Sequence, residues 1–481
     1  MNQNISPKPV KTPINTSVRK RYAFIYSDFT AWSAIAIIFA FTALGCVAGL
    51  GGLLRFIFPV ASLLLAVYLY AFKPITFITY NWLIWCFSPL LRRLGDYYRG
   101  GFDDFGIMLL APYLVTFVCA LTLFKQLPKA HKTGDLSFVA IASSVLYAFF
   151  IGALNNPPVL VVRTFLEWMS PVLFGFHIAS SWRFYPEIRK ATQATFLCII
   201  LLTGIYGIYQ FIFAPVWDTF WLESTGIVTM GRPEPLGLRV WSTTHSPPPY
   251  GCLMMSALLL LFSSRSFWKL PAASVGYLSF LLSMVRAAWL GWMVGILTLL
   301  ALLKPSLKTK MIITIVVMFF VVVPLANIDP FSEIIGDRLE TFLYIQQDTS
   351  YLARGQTYER HLGIAMTNFI GQGLGSTFFI LPNGQLQRIA FDSGFLDLFY
   401  TLGWLGGLPY LLGILLISLS LLQLKQSSSD PFVSAIIAIT ASFFTVILLG
   451  PFMLGLSGIV MFGFLGCGEA ARKYYLINRK Y

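Results

Sequence analysis

The sequence predicts an all-α polytopic membrane protein with about 12–14 transmembrane helices and one large extracytoplasmic loop. Three observations predict it. The chain is 57% hydrophobic and only 11% charged, with a mean hydropathy of +0.73, well outside the soluble globular range. Its apolar runs recur at the length a spanning helix needs, roughly 17–25 residues. Its basic residues fall between those runs in an alternating pattern, as they do where positive charge sets membrane orientation. The net charge of +14 therefore reads as orientation rather than as a nucleic-acid patch.

The elements follow in order. Residues 1–30 are polar and basic and lack the short apolar core and cleavage site of a signal peptide, so they read as a cytoplasmic tail. Residues 31–214 hold the N-terminal spans, expected near 31–50, 53–72, 75–91, 105–124, 136–153, 159–179 and 192–213. Residues 215–410 contain two outer loops, 215–249 and 328–391, with short spans near 248–264, 270–285, 287–303 and 311–327 between them. Residues 411–481 complete a long run near 393–422, add spans near 431–449 and 451–468, and end in a second basic tail. Even parity puts both termini in the cytoplasm. The six cysteines sit in or beside apolar stretches with no CxxC pair and read as small buried hydrophobes. No internal repeat is evident, unlike transporters built from inverted halves.

On this topology every lysine falls on the cytoplasmic side, yet the outer segments hold more than half of the arginines. Lysine fixes the orientation, so the outer arginines need another reason to be there. Arginine's planar fork grips phosphate bidentately, which makes these residues candidates for holding a phosphorylated lipid. Arg92, Arg93 and Arg99, in an expected loop over 91–100, are the exception to the simple pattern.

Arg286 is the sharpest candidate. It stands between two spans with almost no loop, where a charge is expensive and is a functional hypothesis by default. Arg239 gains interest as its partner. Arg163 and Glu167 lie four apart on one helical face and read as a structural ion pair. Asp392 with Ser393 opens a helix, so Asp392 is either an N-cap or a general base for an acceptor hydroxyl. Arg354, Arg360, His361 and His245 complete the outer set, the histidines as groups that titrate near neutrality. Gly371, Gly373 and Gly375 resemble a phosphate loop only superficially, because no strand precedes them and no Lys-Ser/Thr follows. Asp103-Asp104 reads as a cap for the next helix. No metal-ligand spacing is found in the outer segments, so neither a metal nor a cofactor is expected.

Four motifs in this order resemble the O-antigen ligase and O-antigen polymerase superfamily of bacterial envelope proteins. They are Arg239 before His245-Ser246-Pro247; Val285-Arg286-Ala287-Ala288; Arg354 and Tyr358 with Gly371-Gln372-Gly373; and Asp392-Ser393-Gly394-Phe395-Leu396 leading to Gly403-Trp404-Leu405-Gly406. The resemblance covers roughly residues 239–406. It implies a GT-C-like glycosyltransferase in the bacterial inner membrane, whose donor is a polyprenyl-diphosphate-linked glycan. Arg239, Arg286 and Arg354 would hold the diphosphate, and Asp392 would take or orient the acceptor proton. Ligases of this family carry histidine where this chain has Asp392, and use lipid A–core as acceptor. The acidic residue tilts the expectation toward a polymerase whose acceptor is another lipid-linked glycan. A flippase for the same lipid-linked glycan is the rival outside the enzymes. Trp217, Trp221, Trp241 and Trp289 would either stack on sugars or anchor at the membrane interface, and interface is the expected role.

Overall fold

The computed structural model describes residues 29–130, 134–303, 361–380, 386–389, 391, 393–424 and 429–478, with scattered positions between 305 and 320 and residue 359. It is an all-α polytopic membrane fold. Six helical stretches among the described residues are long and apolar enough to cross a membrane: Phe29–Phe72, Ile107–Gln126, Leu136–Asn155, Pro158–Ser180, Trp182–Phe213 and Gly394–Leu422.

Helix α1 (Phe29–Gly45) runs through a wide π turn at Cys46–Leu50 into α2 (Gly51–Phe72). The two expose much of their apolar surface, as lipid-facing helices do. Helix α3 (Pro74–Arg99) is the first departure from expectation. The segment 91–100 is not a loop: the helix continues for two more turns because nothing breaks it before Gly100, whose φ of 73° closes the end. Arg92, Arg93 and Arg99 thus become side chains on a helix. The next span is interrupted, with α4 (Leu110–Phe117) and α5 (Ala120–Gln126) separated at Val118-Cys119. Asp103 accepts the Ile107 amide at 3.0 Å ahead of it, the capping expected there.

The core is built on α6 (Leu136–Asn155), α7 (Pro158–Ser180), α8 (Tyr185–Phe213) and α15 (Gly455–Asn478). Helices α7 and α15 approach so closely that a Cβ on Gly466 would lie 2.3 Å from the Gly175 carbonyl oxygen. Small residues at such contacts let backbones meet where lipid supplies no hydrophobic drive. Helix α9 (Val216–Thr225) lies in the loop over residues 215–249. Helices α10 (Pro247–Leu261), α11 (Lys269–Leu282) and α12 (Arg286–Leu302) are short, 15, 14 and 17 residues. At 1.5 Å per residue they reach about 21–26 Å, less than a hydrocarbon core of roughly 30 Å. Helices α13 (Gly394–Leu422) and α14 (Pro431–Ile447) complete the bundle. A two-stranded hairpin, β1 (Phe378–Ile380) and β2 (Leu386–Arg388), pairs Phe378 with Arg388.

The bundle has two chemically different ends. Of the described lysines, Lys73, Lys125, Lys190, Lys269 and Lys473 sit at one of them. Contacts tie this end together: Lys473 to Asp135, Arg189 to Asp430 at 3.1 Å, and Lys125 over the Tyr70 ring. The opposite end carries Arg92, Arg93, Arg99, Arg163, Arg239, Arg286 and Arg388.

Candidate active site

The loop over residues 215–249 is an ordered structure built around a buried ion pair. Arg93 and Asp218 meet at 2.7 Å with side chains only 1% and 0% exposed. The Arg93 fork also donates from both terminal nitrogens, to the carbonyls of Ser242 and Thr244. Gln210 then ties both sides together. Its amide donates to Asp218 at 2.7 Å, and its carbonyl accepts from the Trp241 and Ser242 amides at 3.1 and 2.8 Å. Tyr206 adds a hydrogen bond to Asp218 at 2.9 Å. Burial pushes the Asp218 carboxyl up from its ordinary range, while the Arg93 charge opposes that shift.

Arg239 lies just ahead of this clamped turn in the chain. Its guanidinium donates to the carbonyls of Thr229 at 2.9 Å, Met284 at 3.1 Å and Ser283 at 3.4 Å. The Val240 amide donates to Leu282 at 3.0 Å. Segment 239–241 is thereby docked onto the α11–α12 junction, and Arg286 opens α12 two residues past Met284. The sequence-predicted pair, Arg239 and Arg286, converges on one junction, and both side chains are partly buried.

Backbone strain collects at the same place. Among the described residues, the non-glycine residues with positive φ are Ala214 (42°), Leu236 (65°), Ser242 (53°) and Met284 (54°). Three belong to the loop over 215–249 and its entrance; the fourth is the junction that Arg239 grips. A left-handed L-residue costs roughly 1–2 kcal/mol, and such strain persists only where the surroundings over-determine it.

His245 stacks edge-on against Trp221 at 5.3 Å. Desolvation by the protein packed around it, and then the positive charges of Arg92, Arg163 and Arg93, push its pKa down to about 3. Trp221 and Trp241 are buried in protein rather than exposed as interface anchors would be. They are 2% and 0% exposed and, with Ala214, Leu222, Met230 and Leu238, make a small core of their own.

A second cluster gathers around the hairpin. Arg388 on β2 reaches Glu167 at 3.1 Å and Asp397 on α13 at 3.6 Å. Arg163 pairs with Glu167 at 3.6 Å, the ion pair expected from their spacing. Both guanidiniums also lie over the Phe378 ring, at 5.0 and 5.5 Å. His361 packs edge-on against Phe391 at 5.5 Å and Tyr400 at 5.4 Å, beside position 392 in the chain. Arg354, Arg360 and Asp392 lie outside the described residues. Ser393 occupies the N-cap position of α13 without a side-chain cap hydrogen bond.

The glycine-rich segment has a packing role. Helix α13 breaks at Gly403, where φ is 63° and ψ −173°. The chain from 368 to 375 runs into this gap and replaces lost backbone bonds: Gln372 and Gly373 donate to Tyr400 and Thr401, and Leu405 donates to Phe369. On the other side Leu374 donates to Ala148, and Asn156 donates to the Gln372 and Leu374 carbonyls at 3.0 Å. Gly371, Gly373 and Gly375 all have positive φ, between 76° and 90°. They form a backbone wedge between α6 and α13.

Sequence reasoning missed the Arg93–Asp218 clamp, Gln210 and the Arg388–Asp397 contact. Two of these left signals: the arginines of 91–100 disagreed with a simple topology, and Asp397 is an acid inside an apolar helix. Gln210 left none. No family model and no curated protein sequence matches the chain.

Proposed function

We propose that the chain is a membrane-embedded, metal-independent glycosyltransferase. It transfers or polymerises a polyprenyl-diphosphate-linked oligosaccharide on the extracytoplasmic side of the bacterial inner membrane, in O-antigen or exopolysaccharide synthesis. The observation that carries this reading is the meeting of Arg239 and Arg286 at the α11–α12 junction, on the bundle end that also carries Arg92, Arg93 and Arg388. Two guanidiniums there suit a diphosphate leaving group.

In this reading an acceptor hydroxyl oxygen attacks the anomeric carbon. The bond from that carbon to the diphosphate oxygen breaks, its electron pair leaving with the polyprenyl diphosphate. The hydroxyl proton passes to a base, for which Asp392 is the candidate. Arg239 and Arg286, with Arg354 as a third candidate, stabilise the charge that builds on the departing diphosphate. The low pKa of His245 makes it a weak base, which favours a positioning or packing role for it over proton abstraction. An acid at 392 favours a lipid-linked glycan over lipid A–core as acceptor.

The test uses the purified full-length protein, a polyprenyl-diphosphate oligosaccharide and EDTA. Wild type is expected to release polyprenyl diphosphate as the glycan lengthens, and Arg286→Ala to lose about 10²–10³ in kcat. Transfer only to lipid A–core would make it a ligase. Movement of the lipid across vesicles with no release from any acceptor would replace the enzyme reading with a flippase.

A further inference from the structure

The Arg93–Asp218 pair holds more than the loop's own fold. Its one guanidinium spans a carboxylate on α9 and two carbonyls, Ser242 and Thr244, in the turn that follows Arg239. Gln210 grips the same turn from α8 through the Trp241 and Ser242 amides. The Ser242 hydroxyl donates to the Thr203 carbonyl, fixing the residue whose φ is 53°. Four groups from three helices therefore enforce one strained turn. A loop that needed only to fold would do so more cheaply with glycine at 242 and apolar side chains at 93 and 218, because buried ion pairs are seldom more stabilising than apolar replacements.

What the strained turn does is set the position of Arg239. Residues 239–241 leave it in a fixed direction, along the end of α11, so that Val240 meets Leu282 and the Arg239 fork meets Ser283 and Met284. Resting on the reading that Arg239 grips the diphosphate, we infer that Arg93, Asp218 and Gln210 are positioning residues for that ligand. They act through the Trp241–Thr244 turn and need not touch the ligand themselves. Arginine is required at 93 because only a fork reaches three acceptors at once, which a lysine ammonium on a flexible stem does not do.

The experiment measures binding of farnesyl diphosphate to the full-length protein in detergent by calorimetry, alongside the melting temperature of each variant. The neutral double substitution Arg93→Gln with Asp218→Asn removes the charges together. Ser242→Gly relieves the strain without burying a charge, so folding is not at issue. Both are expected to weaken diphosphate binding about tenfold or more, with the Ser242→Gly melting temperature equal to or above that of wild type. Arg232→Ala, whose side chain is 85% exposed in the same loop, is expected to bind as wild type does. If wild type binds and Ser242→Gly binds equally well, the positioning role is refuted while the enzyme reading stands. If wild type does not bind the diphosphate, the reading fails and takes the positioning role with it.

Discussion

Gly373→Ala separates a ligand loop from a packing wedge. An added Cβ would lie 2.3 Å from the Gly152 nitrogen, 2.6 Å from its Cα and 2.7 Å from the Ile151 carbonyl carbon. All three are backbone atoms of α6, so no side chain can turn aside to make room. The residue also has φ +76°, where an L side chain costs about 1–2 kcal/mol. Overpacking of this kind adds roughly 1–3 kcal/mol, giving a destabilisation of about 2–5 kcal/mol. Denaturant unfolding in detergent would show it as a lowered midpoint. Gly363→Ala is the control: nothing lies within 4 Å of its added Cβ, and alanine in a helix gains up to about 1 kcal/mol over glycine. A Gly373→Ala protein within about 0.5 kcal/mol of wild type that had lost ligand affinity would refute the wedge. It would make the segment a ligand loop, which its sequence does not suggest.

Other expectations follow from the ion pairs and from His245. Arg93→Ala should cost about 3–5 kcal/mol by stranding a buried carboxylate, and adding Asp218→Asn should recover part of it; a double-mutant cycle in unfolding free energy measures the coupling. Arg388→Ala should cost about 1.5–3 kcal/mol and raise hydrogen exchange in β1 and β2, with no rescue by lysine; unchanged exchange would show that the hairpin does not depend on Glu167 and Asp397. His245 is held neutral in the fold, so its contribution to stability is present above the unfolded pKa of about 6.5 and is lost as pH falls from there toward about 3. The stability difference between wild type and His245→Gln should therefore shift against wild type over that window, and a flat difference would show an ordinary histidine.

The membrane class, the spans and the two unlike ends were legible because they rest on composition and on charge between apolar runs, both local properties. The Arg163–Glu167 pair was legible for the same reason, since four residues on a helix is a fixed geometry. The length of α3 was misjudged because the helix is stopped by Gly100 and not by charge; Arg92 pairs with Asp96 along the helix at 3.3 Å, so its polar end is as helical as its apolar one. The Trp221–Trp241 core was hidden because exposed and buried tryptophans look alike in a loop sequence. The wedge was hidden most deeply. Its glycines are explained by Gly152 and Gly403, one more than 200 residues earlier and the other 30 residues later, and no local pattern carries that information.

The excess of arginine over lysine at one end is accounted for largely by the contacts these side chains make. Arg92 donates to the Asp103 carbonyl, Arg93 to Ser242 and Thr244, Arg99 to Gly101, and Arg239 to Thr229, Ser283 and Met284. Arg388 bridges two carboxylates on different helices. These are tasks for a fork with several donors, and they account for much of the arginine without any ligand. Phosphate recognition is therefore not needed to explain why arginine replaces lysine at this end. On the proposed reading it would account for something narrower: why a charge opens α12 at the junction where a strained Met284 and the Arg239 fork already meet. A lysine at 286 would keep the charge and the snorkelling stem but lose bidentate grip. Arg286→Lys should thus hold the fold while losing much of the diphosphate affinity, whereas equal affinity would reduce Arg286 to a membrane-interface charge.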